Sequence, residues 1–200
     1  MKKQILITIG REYGSGGHDL AVLLSQRLGI RMLDRELIDE LWKNDPEMQR
    51  LAQEYDERPV NRILSRKINE FDNSIPHNVA QRQFDMIRQI ADSGESAIFV
   101  GRCADYILRE NPRCVNVFLT ADDADRIGRI RSRQGCTAEE ARAMMERVDA
   151  RRASYYNYYS SRTWGEAATY HLCVSTSPLG DEGTADFILE FAARKLNMKF

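Results

Sequence analysis

Apolar residues fall into short runs at residues 4–9, 30–33, 96–100, 114–119 and 170–175, and between them apolar positions recur at helical spacing. Runs of this length, rich in Ile, Val, Leu and Phe, suit strands covered on both faces. Their alternation with helical stretches predicts an α/β domain on a parallel sheet flanked by helices. The first helix is expected from Asp19 to Leu28, a second after the capping-like Thr120-Ala121-Asp122-Asp123, a third from Thr137 to about Tyr159 beyond the break at Gln134-Gly135-Cys136, and a last from Asp181 to Leu196. Residues 44–92 break this rhythm. They are polar, hold Pro46, Pro59 and Pro76, and contain no strand-like run, which predicts helices beside the sheet, two of them beginning at Pro59 and Pro76.

Composition narrows the class. Two hundred residues at 42% hydrophobic content suffice for one α/β domain, and a net charge of −1 argues against a whole-surface nucleic-acid or anionic-membrane binder. The apolar run after Lys2 and Lys3 ends at Ile9, too short for a signal peptide, and no window approaches the roughly 18 apolar residues of a membrane span. Cys103, Cys114, Cys136 and Cys173 form no C-x-x-C pair, and His18, His77 and His171 are scattered. The expectation is a cytoplasmic protein with free thiols and no metal site.

The candidate chemistry begins where the first strand ends. Gly10-Arg11-Glu12-Tyr13-Gly14-Ser15-Gly16-Gly17-His18 joins that strand to the first helix, the order in which backbone N–H groups and a helix N-terminus converge on a phosphate. A tight turn that binds nothing is the other reading. Set against G-x-x-x-x-G-K-[ST], with Gly16 as the second glycine, the chain has Arg11, Gly17 and His18 at the remaining fixed positions. The usual lysine is therefore absent, and Arg11 is the nearest replacement cation.

Arginines concentrate at 126, 129, 131, 133, 142, 147, 151 and 152. Arg126, Arg129 and Arg133 share a helical face, and Arg147 and Arg151 lie one turn apart. They read either as an arm that neutralises a phosphoryl group or as a solvated face paired with Glu139, Glu140, Glu146 and Asp149. Arg102 follows a strand end, facing either a phosphate or a surface carboxylate. Asp34 either caps a helix or orients an acceptor, and Arg35 either binds an acceptor phosphate or pairs with Glu36 or Asp39. Tyr155, Tyr156, Tyr158, Tyr159 and Trp164 suit base stacking, core packing or a homo-oligomer contact.

As a set, Ile7 to Gly17, Leu33-Asp34-Arg35-Glu36-Leu37-Ile38, Phe99 to Leu108, Asp149-Ala150-Arg151-Arg152 with Tyr155-Tyr156, and Trp164 resemble the cytidylate kinase-like family, relatives of the nucleoside monophosphate kinases. The resemblance covers nearly the whole chain. It implies a single three-layer P-loop kinase-like domain with a five-stranded parallel core (1–43, 93–125 and 160–200), a helical acceptor-binding insert (44–92) and an arginine-rich lid (126–159). The implied reaction is transfer of the ATP γ-phosphoryl group, with Mg²⁺, to a small phosphorylated acceptor, CMP or dCMP first. Gly14, Ser15, Gly16, Gly17 and His18 would hold the donor, with Ser15 supplying a hydroxyl. Arg11, Arg102, Arg147, Arg151 and Arg152 would carry the charge, and Asp34, Arg35, Arg102 and Asp149 would face the acceptor. Gly17 stands where a cytidylate kinase has its lysine and Cys103 where it has Asp, so a kinase for another small acceptor and a non-catalytic nucleotide-binding protein remain alternatives.

Overall fold

The computed structural model describes residues 4–34, 42–55 and 75–199. In them β1 (Leu6–Arg11), β2 (Arg31–Leu33), β3 (Ala97–Val100), β4 (Cys114–Thr120) and β5 (Leu172–Ser175) form one sheet, ordered β2-β3-β1-β4-β5 with every neighbouring pair parallel. The helices are α1 (Gly17–Leu28), α2 (Pro46–Tyr55), α3 (Ile75–Asp92), α4 (Ala104–Ile107), α5 (Asp123–Gln134), α6 (Ala138–Ser160) and α7 (Gly180–Leu196).

Strand alternation divides the core into two layers. Ile5, Ile7 and Ile9 join Ile98, Val100, Val115, Val117 and Leu119 under Leu20 and Leu24 of α1 and Ile188 and Ala192 of α7. On the opposite face Leu6, Leu33, Ala97 and Phe99 pack under Ile87 and Ile90 of α3 and Ala104 of α4. Fully burying each Ile, Leu or Phe contributes about 1.5–3 kcal/mol, so these layers dominate the fold's cohesion. Thr8 is buried within β1, and its hydroxyl donates to Asn116 Oδ1 of β4 at 2.9 Å, which satisfies both groups.

Local signals and tertiary pairing disagree at one helix start. Thr120 ends β4 instead of capping a helix, because it pairs with Ser175 and its carbonyl accepts from the Thr176 N–H at 2.9 Å. α5 starts three residues later, without a side-chain cap. The break at Gly135 is present, in the left-handed conformation at φ 64°, and Thr137 and Glu140 then form a reciprocal capping box for α6. Pro46 begins α2 and Pro76 lies in the first turn of α3, whereas Pro59 lies outside the described residues. The four cysteines are free thiols, and no described helix is long and apolar enough to cross a membrane.

A parallel sheet brings its carboxyl ends to one edge, where ligands of open α/β folds bind. Arg11 closes β1, Asp34 follows β2, and Gly101-Arg102 follow β3. Pairing of β3 with both β1 and β2 makes these three residues neighbours.

Candidate active site

The turn from β1 into α1 requires glycine at two points of positive φ, Gly14 at 83° and Gly16 at 84°. Gly14 also lies against a backbone, since a Cβ there would sit 2.8 Å from the Arg126 carbonyl oxygen. Ser15 closes the turn, its N–H and hydroxyl both donating to the Glu12 carbonyl, at 3.3 and 2.9 Å. The Ser15 hydroxyl, expected at a donor phosphate, is thus a buried fastener of the loop. α1 begins at Gly17, so the N–H groups from Gly17 onward form the positive end of a twelve-residue helix.

The absent lysine has a steric counterpart. A Cβ on Gly17 would lie 2.7 Å from Arg11 Cβ and 2.8 Å from Arg11 Cγ, so the arginine stem crosses the place where a side chain would start. The Arg11 guanidinium reaches to 3.9 Å from Asp34. Arg102 approaches the same carboxylate from β3, donating to Asp34 Oδ1 at 2.8 Å and to the Val100 carbonyl at 3.0 Å, while His18 Nδ1 lies 3.2 Å from Asp34 Oδ2. Burial alone would raise the Asp34 carboxyl, but Arg11 and Arg102, together with the hydrogen bonds from Arg102 and His18, outweigh it and hold the group at about 2. Asp34 is therefore an anion at any physiological pH. Arg102 sits at φ 53° between Gly101 at 77° and Cys103 at 57°. Left-handed backbone at two consecutive non-glycine residues costs of order 1–3 kcal/mol at each, a strain that clusters at functional sites.

The arginine-rich helices face this loop. Arg126, Arg129 and Arg133 share a face of α5, as their spacing predicts, and each meets the glycine loop or α1. Arg126 Nε donates to the Tyr13 carbonyl at 2.8 Å, and its guanidinium pairs with Asp149 and lies 3.5 Å from Glu12. Arg129 contacts the Gly14 carbonyl at 3.4 Å, Thr176 at 3.1 Å and Asp181 at 3.1 Å, and Arg133 pairs with Asp19. From α6, Arg152 donates to the Arg11 carbonyl at 3.0 Å. Asp149 accepts the Tyr13 N–H at 2.8 Å, so the residue expected to bind an acceptor grips the loop. Burial pushes the Glu12 carboxyl up, opposed by Arg126.

Arg147 and Arg151 are not brought to this cluster. Each is two positions from Asp149, about 200° around the helix, and both are exposed, with no ion pair among the described residues. Arg35 lies outside the described residues. Arg126 and Arg129 contact the glycine loop directly, whereas the resemblance assigns them no site role; their three-residue spacing is the sequence signal for it.

Beside Arg11, Arg102 and Arg152 runs a cleft of about 20 Å³, walled by Asp105, Tyr155, Tyr156, Trp164 and Tyr170. Tyr155 and Tyr156 are buried with Ala80 and Phe84, which gives these rings the core-packing role. The Tyr156 hydroxyl donates to Asp105 at 2.6 Å. Burial raises the Asp105 carboxyl above its ordinary value, and burial next to that carboxyl raises Tyr156. Among the described residues no group of three or more His, Cys, Asp or Glu side chains could hold a metal.

Comparison with known proteins agrees with this architecture. The profile of the Cytidylate kinase-like family matches residues 6–178, and the chain belongs to that family. It is similar to the crystal structure of an uncharacterized protein from Eubacterium ventriosum, at 30% identity and a TM-score of 0.76, over 94% of this chain and 98% of the other. The fold is also that of shikimate kinase from Bacteroides thetaiotaomicron (13% identity, TM-score 0.56, 97% of this chain and 99% of that one). Gluconokinase from Sinorhizobium meliloti shares it as well (15% identity, TM-score 0.54, 98% and 96%). No protein of curated function matches the chain in sequence.

Proposed function

We propose that this member of the cytidylate kinase-like family transfers the γ-phosphoryl group of ATP to a nucleoside monophosphate, with CMP or dCMP as the first candidates. The observation that supports the reading is the Arg11 stem crossing Gly17 with its guanidinium 3.9 Å from Asp34, which makes this arginine the candidate replacement for the lysine. Phosphoryl transfer asks for positioning and charge neutralisation more than covalent chemistry. The backbone N–H groups at the start of α1 would receive the donor phosphates. Arg11, Arg102 and Arg152 would neutralise the transferring group and the acceptor phosphate, and Asp34 would keep the first two oriented until substrate arrives. Both oxygens of Asp34 are engaged, by Arg102 and Arg11 on one side and His18 on the other, so Asp34 would meet Mg²⁺ through a water and the nucleotide's phosphates would be the ion's direct ligands; once bound, that ion would supply further neutralisation of the phosphates. The cleft has room for about one water, so an acceptor must widen it, and closure afterwards would exclude water from the reaction.

Asp34 also favours a second reading. A carboxylate held as an anion accepts a hydrogen bond from a hydroxyl, so a small hydroxylated acceptor fits the same edge, as the names of the two kinases of this fold suggest. A screen of ADP release with CMP, dCMP, UMP, AMP, shikimate and gluconate separates the readings. Release with CMP or dCMP, abolished by Arg102→Ala and Arg152→Ala, is the expected result; release only with the hydroxylated compounds selects the second reading. Binding of ATP with no release for any acceptor selects a non-catalytic nucleotide-binding protein.

A further inference from the structure

We propose that Arg126 and Asp149 are positioning residues that hold the glycine loop in its phosphate-receiving shape, so that affinity for ATP is set from α5 and α6; this rests on the phosphotransferase reading above. Both backbone polar groups of Tyr13 are taken by this pair, the N–H by Asp149 Oδ1 at 2.8 Å and the carbonyl by Arg126 Nε at 2.8 Å. The two side chains also pair with each other, closing a ring around one loop residue. Arg126 is 5% exposed, and charge-assisted hydrogen bonds shielded from water in this way are the strong ones.

The consequence falls on Gly14. Its N–H shares a planar trans peptide with the Tyr13 carbonyl, and the two point in opposite directions. Drawing the carbonyl onto α5 therefore turns the Gly14 N–H away from α5, where it makes no hydrogen bond among the described residues. The same device recurs on either side. Arg152 holds the Arg11 carbonyl at 3.0 Å and Arg129 contacts the Gly14 carbonyl at 3.4 Å. Arg126, bonded to a carbonyl and a carboxylate, thus acts through the loop and does not itself neutralise phosphate.

The test measures binding of ATP with Mg²⁺ and of CMP to the full chain by calorimetry, and follows the Gly14 amide by NMR during ATP titration. Asp149→Asn and Arg126→Gln are expected to raise the ATP dissociation constant about tenfold or more and to shift the Gly14 amide in the free protein, and Arg126→Gln is expected to leave CMP binding unchanged. Because a lone buried charge can unfold a protein, a second variant replaces both partners with apolar residues, Arg126→Met with Asp149→Leu. This variant is expected to stay folded at the assay temperature, checked by its melting curve, and to lose ATP affinity to the same extent. Unchanged ATP affinity in that double variant, or an equal loss for ATP and CMP in Arg126→Gln, overturns the positioning role while leaving the kinase reading intact. Failure of the unmodified protein to bind ATP overturns both.

Discussion

Restoring the missing lysine should damage this protein. Gly17→Lys forces a Cβ to within 2.7 Å of Arg11 Cβ and 2.8 Å of its Cγ, atoms too close to the backbone to swing aside. Either the end of β1 or the start of α1 must shift, which overpacking series put at about 1–3 kcal/mol. The shift also displaces the N–H groups at the start of α1, the proposed phosphate cradle. Arg11→Gly, by contrast, empties the space and removes a cation that would stabilise developing charge. By analogy with loss of one preorganised donor, kcat/KM should fall about 10²–10³-fold. The two changes should therefore couple. In Arg11→Gly with Gly17→Lys the new side chain has room, and ATP affinity and ADP release should recover about tenfold or more over Arg11→Gly alone. Calorimetric ATP binding, a coupled ADP-release assay and thermal melts on the four proteins close the cycle. Strict additivity, or a Gly17→Lys protein as stable as the parent and more active, would refute the steric account of Gly17.

Further predictions concern two carboxyls, the half-buried Asp34 and the buried Asp105. Asp34 is held at about 2 against an ordinary 3.8, so its contribution is present above pH 4 and is lost as pH falls towards 2; Asp34→Asn should cost about 2 kcal/mol at pH 7 by urea denaturation, a gap that closes below pH 2. A gap that persists undiminished in acid would mean that packing, not charge, is the source. Asp105 is the opposite case. Its raised value means that ionisation weakens the folded state as pH rises through it, so Asp105→Asn should leave the melting temperature at pH 8 unchanged or higher, whereas Tyr156→Phe, which strips the buried carboxyl of its 2.6 Å partner, should cost about 1–3 kcal/mol.

Periodicity and turn chemistry carry the sheet, the helices that cover it and the glycine turn, because continuous apolar runs and glycines constrain the chain locally. The five strands form where the apolar runs predicted them, and the shared face of Arg126, Arg129 and Arg133 follows from the helix repeat alone. Thr120 shows the limit: its cap-like context is local, but its strand pairing with Ser175 comes from a segment more than fifty residues away.

The sequence by itself determined that a phosphate-type loop stands at the first strand and lacks its lysine. Only the tertiary structure decided that the Arg11 stem crosses the place where that lysine would start. Strand order set Arg11, Asp34 and Arg102 at one edge, and the packing of α5 and α6 turned Asp149 and Arg126 onto Tyr13 while leaving Arg147 and Arg151 exposed. A residue's partner depends on which elements meet in space, and a list of arginines does not record whether each guanidinium ends at a carbonyl, a carboxylate or open solvent.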